Sequence, residues 1–288
     1  MNGLLQGNRI ADLSNYIKQT LSKEGVEERV TVQMSKWLLE DLLQKPYVEI
    51  LINLQQHVSE SEILRLHFKL KRIVANEPIQ YVLGYSWFMG KRFEVSPSVL
   101  IPRPETEELV SQVIQRIKHR NKGRLIDLGT GSGCIPVVVK DKLPNWQISA
   151  VDISDDALTV AERNANTHQV HVDFYRDDIL NMAHVCGVFD VIVSNPPYVL
   201  MSDQAQMQKH VLEHEPHLAL FVPDTDPCLY YRKIAEWALD HLCADGMIAF
   251  EVHEKYASSV AEILSNGGFV VEIVKDLQDK DRFVFGTR

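Results

Sequence analysis

From Arg124 onward, short β-branched runs alternate with helical stretches, and that alternation leaves few folds open to the chain. The apolar runs at 125–128, 148–151, 170–175 and 189–193 read as strands, the last closing at Asn195. Helices are expected at 134–140, where Pro136 is tolerable only in a first turn, and at 154–165. The later pattern predicts a helix at 230–242, a strand at 247–251, a helix at 255–265, and strands at 269–274 and 283–286. Strands joined through helices run parallel and are covered on both faces, and such sheets bind ligands beyond the carboxyl ends of their strands.

Two of those ends carry unusual residues. The first strand runs into Gly129-Thr130-Gly131-Ser132-Gly133, and the second stops at Asp152. A strand, a glycine-rich turn, a helix and then an acid closing the next strand is an arrangement for an adenosine ligand: glycines let the backbone approach, and the acid accepts from ribose hydroxyls. Asp152 could also cap the next helix, but Ser154 and Asp155 stand closer to that role. A dinucleotide pattern would need glycine where Cys134 stands, and the actual spacing is Asp127-x-Gly129-x-Gly131-x-Gly133.

The fourth strand ends in Ser194-Asn195-Pro196-Pro197-Tyr198. Pro197 pushes Pro196 into an extended conformation, and neither proline offers an N–H. The Asn195 side chain and the Pro196 carbonyl could therefore face one space as paired acceptors, a match for the two hydrogens of a planar NH₂ group. Tyr198 adds a flat ring for stacking or for a nearby cation. Asn-Pro-Pro alone also suits an ordinary turn.

Ahead of Arg124 lie no such motifs. Helical periodicity over 9–73 predicts a bundle of four or five helices, with Leu13, Tyr16, Ile17 and Leu21 on one face and Val32, Met34, Trp37, Leu38, Leu42 and Leu43 on the next. A β-hairpin is expected in 85–95, as part of a linker over 76–101 between a helical domain, 1–75, and the α/β domain, 102–288. In Ile101-Pro102-Arg103-Pro104-Glu105-Thr106-Glu107, two prolines stiffen a loop before a helix; it reads as a capped helix start or as a lid placing Arg103 and Glu107 near a charged ligand.

With 288 residues, 45% hydrophobic, the chain suits one large domain plus a small one. No apolar run approaches a membrane span, Met1 to Asp12 lacks a signal-peptide core, and a cytoplasmic location is expected. Four scattered cysteines suggest neither a zinc site nor disulfides. The net charge of −9 argues against nucleic acid as a direct partner.

The glycine spacing resembles motif I of class I S-adenosylmethionine-dependent methyltransferases. That resemblance implies a Rossmann-like, mostly parallel seven-stranded sheet, with Gly129 to Gly133 around the methionine moiety, Asp152 at the ribose, Asp178 and Ile179 at the adenine, and Ile153 among the cofactor-binding residues. Asn-Pro-Pro-Tyr resembles the loop of methyltransferases acting on a planar amide or exocyclic amine. Further stretches narrow the likeness: Glu77 to Gly84, Ile101 to Glu107, Glu215-Pro216 with Ala219-Leu220, and Asp276-Leu277 with Asp281-Arg282. Together they resemble, over essentially the whole chain, the HemK/PrmC family of peptide chain release factor glutamine methyltransferases. The resemblance implies transfer of methyl from S-adenosylmethionine, leaving S-adenosylhomocysteine, to the glutamine of a Gly-Gly-Gln loop in release factors; a monomer is expected, although the sequence itself does not fix self-association. Asn195, Pro196 and Tyr198 would be catalytic, Pro197 would join them at the substrate, and Asn195 would also touch the cofactor. Phe221-Val222-Pro223-Asp224 and Glu251-Val252-His253 depart from the family pattern.

His210, His214 and His217 have helical spacing for a metal, but Pro216 should break the helix first, and no metal site is expected. A DNA amino-methyltransferase acting on adenine could share the loop but wants a basic groove. A non-catalytic cofactor-bound scaffold would have no use for paired amide acceptors.

Overall fold

The computed structural model describes residues 7–288, apart from the Gln206 side chain. The first six residues of the opening segment, read above for a signal peptide, lie outside the described residues. Among the described residues no helix is long and apolar enough to cross a membrane. The chain divides into two compact units, Met1–Gly84 and Tyr85–Arg288.

The first unit is all-helical: α1 (Ile10–Lys23), α2 (Glu28–Leu43), α3 (Tyr47–Ile52), α4 (Glu60–Val74) and α5 (Ile79–Leu83). Ser59 and Glu62 form a reciprocal capping box that starts α4, and Pro46 stands just before α3. The core takes Leu13, Ile17 and Leu21 as expected, but α2 turns Thr31, Ser35, Leu38, Leu39 and Leu42 inward while Val32 is exposed. Those buried positions follow the three-and-four spacing of one helix face, whereas the expected set straddled two faces. Within the 76–101 stretch, Ile79 and Val82 of α5 complete this core, and the hairpin belongs to the second unit.

The second unit opens with that hairpin, β1 (Tyr85–Phe88) and β2 (Lys91–Glu94). Met89 and Gly90 both have positive φ and form a two-residue turn, and Phe88 packs edge-on against Phe93 in the core. Then follow α6 (Pro104–Ile117), β3 (Arg124–Leu128), α7 (Cys134–Lys142), β4 (Gln147–Asp152), α8 (Asp155–Thr167), β5 (Asp173–Arg176) and β6 (Phe189–Ser194). After them come β7 (Val199–Leu200), α9 (Lys209–His214), β8 (Phe221–Val222), α10 (Leu229–His241), β9 (Leu242–Glu251), α11 (Ala257–Asn266), β10 (Val270–Lys275) and β11 (Asp281–Thr287). Strand β5 starts later than predicted because Val170 N–H bonds back to Ala165 O, with Gln169 left-handed, so Val170 closes α8.

Seven strands form one sheet in the order β10-β11-β9-β6-β3-β4-β5, and of these only β11 runs opposite to the rest. Buried side chains of α6 and α7 cover one face together with Ala165 of α8, and those of α10 and α11 cover the other. From β3 the chain winds outward through β4 to β5, then returns to place β6 on the other flank of β3. The reversal makes the carboxyl ends of β3 and β6 a topological switch point, where open sheets form clefts. The segment from Met201 to Leu220 is closed at its base by a short parallel pairing of β7 with β8.

Candidate active site

The glycine turn after β3 is built to lie flat. Gly129, Gly131 and Gly133 have φ of 80°, 52° and 75°, a region glycine enters without penalty. Gly129 and Thr130 N–H both donate to Val151 O at 2.9 Å, tying the turn to β4. A Cβ on Gly133 would stand 2.9 Å from the Ala161 Cβ, so the turn sits flush on α8, while one on Gly131 would meet only open space. Fully buried Asn164 donates to Ser132 O at 2.9 Å and to Glu94 O at 3.0 Å, knitting turn, α8 and hairpin together.

Asp152, at the tip of β4, accepts from Gly131 N–H at 2.8 Å and from Ser154 N–H at 3.0 Å. One bond per oxygen leaves lone pairs for a further donor, and the helix cap itself is Ser154, whose Oγ accepts from Ala157 N–H. Burial raises the Asp152 carboxyl above its ordinary range. Beneath the turn Asp127 is wholly buried, and neither of its carboxylate oxygens nor the Thr130 hydroxyl has a formed hydrogen bond. Loss of solvent pushes Asp127 up to about 7; Thr130, close by but short of good geometry, opposes the rise, and the charge of Asp152 adds to it.

One cleft is lined by Gly129, Gly131, Asp152, Ile153, Asp178, Ile179, Asn195 and Pro197. Asp178 holds its corner rigid by capping a 3₁₀ turn through Leu180 N–H. Thr130, Ser132 and Gly133 support the turn from behind without lining the cleft, and Pro196 is buried. The remaining wall comes from residues that pattern reading had not assigned, including Val99, Leu100, Pro216, Leu218 and Tyr230. The signal for Pro216 was its place in the stretch Glu215-Pro216; Tyr230, the second residue of α10, belongs to no motif.

Asn195 donates from Nδ2 to Thr106 Oγ1 at 3.2 Å, and Thr106 in turn donates to Glu251 Oε2 at 2.7 Å. Thr106 and Glu251 are both buried. Desolvation pushes Glu251 up to about 7, against the hydrogen bond from Thr106. Sequence reasoning missed both residues as parts of the site, although both fall in stretches it had quoted.

Tyr198 does not stand free over the cleft. Its ring packs against the core beneath α10 and α11, 6.0 Å from the His253 ring, and burial raises its hydroxyl above the ordinary tyrosine range. Expected to stack on a substrate, Tyr198 is not among the residues that line the cleft. Neither Arg103 nor Glu107 is held for a ligand. Arg103 pairs with buried Glu215 at 2.5 Å, while Glu107 accepts from Met89 N–H at 2.7 Å and anchors the hairpin turn. His217 pairs with Leu212 O and lies edge-on to Phe221 beyond the end of α9, as Pro216 demanded. Among the described residues no three acids, histidines or cysteines converge as a metal group.

Two family models match separate parts of the chain. Residues 12–84 match the model of the PrmC N-terminal domain, and residues 107–218 match that of the methyltransferase small domain. A release factor glutamine methyltransferase of Bacteroides thetaiotaomicron is 37% identical over 96% of this chain and 99% of its own length. One of Flavobacterium psychrophilum is 38% identical over 86% of this chain and 88% of its own. A methyltransferase of Pyrococcus furiosus shares the fold, with a TM-score of 0.50 at 20% identity over 76% of this chain and 98% of that one.

Proposed function

The chain belongs to the release factor glutamine methyltransferase family, and on that footing we propose that it methylates the side-chain amide nitrogen of the glutamine in the Gly-Gly-Gln motif of release factors, using S-adenosylmethionine. The observation that carries the reading is that Gly131, Asp152 and Asn195, from three neighbouring strand tips, line one cleft.

The residues present fit the cofactor. Asp127 and Thr130, buried beneath the turn without side-chain hydrogen bonds, favour a cation in the cleft above them, and Gly131 leaves open the side a Cβ would fill. Asp152 keeps lone pairs for ribose hydroxyls, and Ile153, Asp178 and Ile179 offer an apolar corner with an acid for the adenine. S-adenosylmethionine supplies a methyl group made electrophilic by its sulfonium.

An amide nitrogen is a poor nucleophile because its lone pair is delocalised into the carbonyl. Asn195 Oδ1 and the Pro196 carbonyl accept the two N–H hydrogens, orient the nitrogen and favour the positive charge that develops on it. The nitrogen–carbon bond forms as the carbon–sulfur bond breaks, and the nitrogen then sheds a proton to water, so no strong base is needed.

Incubation with cofactor and a release factor, followed by mass spectrometry of the glutamine-containing peptide, tests this. A gain of one methyl on that glutamine is expected; an unmodified peptide, or transfer to DNA adenine instead, would overturn it.

A further inference from the structure

Resting on that reading, we infer that Thr106 and Glu251 are positioning residues that fix which end of the Asn195 amide faces the cleft. The two ends of an asparagine side chain have nearly the same shape, so shape alone does not choose between them. Only one suits the proposed reaction: an oxygen facing the substrate accepts its N–H, whereas an NH₂ group facing it would set donor against donor.

The choice propagates from Glu251. An ionised carboxylate only accepts, so the Thr106 hydroxyl must give its single hydrogen to Glu251 Oε2, 2.7 Å away. That hydroxyl oxygen is then left to accept, and what it meets at 3.2 Å is Asn195 Nδ2. With Nδ2 held, Oδ1 is the end turned toward the cleft that Asn195 lines. Thr106 sits in the first turn of α6 and Glu251 at the end of β9, both out of solvent, so water does not compete for either bond. Glu105 raises the Glu251 carboxyl further while Arg282 and Arg103 oppose it, and assays on the alkaline side of neutrality keep it ionised.

Three near-isosteric changes separate orientation from bulk. Thr106→Val deletes the hydroxyl and keeps the shape; Thr106→Ser keeps the hydroxyl; Glu251→Gln introduces an N–H that can donate to Thr106 and so removes the sense of direction. With release factor and S-adenosylmethionine, Thr106→Val and Glu251→Gln are expected to lose roughly ten- to hundredfold in kcat, as for a misplaced reacting group. Calorimetric affinity for S-adenosylhomocysteine should stay near that of the parent, and Thr106→Ser should recover most of the turnover. A readout free of turnover is the Asn195 side-chain NH₂ resonance, assigned by its loss in Asn195→Asp: slow to exchange with solvent in the parent, fast in Thr106→Val.

Equal kcat in parent and Thr106→Val, an equal loss in Thr106→Ser, or unchanged amide exchange would overturn the inference. If Glu251→Gln fails to fold, the Thr106 pair decides. If the parent itself leaves the release factor unmodified, the proposed substrate fails, while the exchange measurement still judges the hydrogen-bond chain.

Discussion

Ser194 and Leu128 are paired neighbours at the carboxyl ends of β6 and β3, and the Ser194 hydroxyl donates to the Leu128 carbonyl at 2.6 Å. The next residues along each chain are Asn195 and Gly129. The bond therefore staples together the two tips that carry the glycine turn and the Asn-Pro-Pro-Tyr loop. Ser194→Ala would leave a buried carbonyl short of one donor, at about 1–3 kcal/mol. Urea denaturation measures that, and an unchanged midpoint would show the bond to be dispensable.

Asn195→Ala removes an acceptor proposed to act mainly as charge develops on nitrogen. Turnover should fall on the order of a hundredfold or more, while cofactor affinity by calorimetry stays nearly intact. Turnover equal to the parent would remove Asn195 from the reaction.

Gly131→Ala and Gly133→Ala should differ in kind. Both place a side chain at positive φ, but only at Gly133 does the new methyl collide with α8, 2.9 Å from the Ala161 Cβ. Gly133→Ala is expected to lower the thermal midpoint strongly, whereas Gly131→Ala, its methyl in open space, should mainly weaken cofactor binding. Equal thermal losses would show that backbone strain alone governs both.

Burial lifts the folded-state value of Asp127 from an ordinary 3.8 to about 7. The folded chain thus holds this proton more tightly than the unfolded one, and the stabilising contribution, complete below the unfolded value, is lost as pH rises through the folded one. Asp127→Asn cannot titrate. Parent stability relative to this variant should therefore fall between about pH 4 and 7 and then level off, as read by denaturation across pH. The same variant should bind S-adenosylmethionine more weakly, having lost the buried anion; parallel stability curves would refute the assignment.

Arg103 reaches across to Glu215, whose side chain is completely buried and which also accepts from Ile101 N–H at 3.2 Å. Arg103→Met would strand that carboxylate, at the lower end of roughly 3–5 kcal/mol because the arginine is itself partly exposed. Protease should then cut within 201–220 faster than in the parent; unchanged cleavage would mean the ion pair does not hold that segment.

The alternation of strand and helix after Arg124, the glycine spacing and Asp152 all lie within stretches short enough for local sterics to fix their meaning. Three left-handed glycines after a buried strand can make little else, so the sheet, its switch point and the cleft could be foreseen from residue order. The placing of side chains could not. Asn195 owes its orientation to Thr106 and Glu251, 89 and 56 residues away in the chain, and Arg103 meets a partner 112 residues on. Tyr198 packs against the core beside α10 and α11, and the hairpin joins the second unit because Phe88 and Phe93 find their core there. Periodicity and spacing report what a residue does to its own backbone; which group it faces once water is excluded depends on packing between elements, and only the tertiary structure decides that.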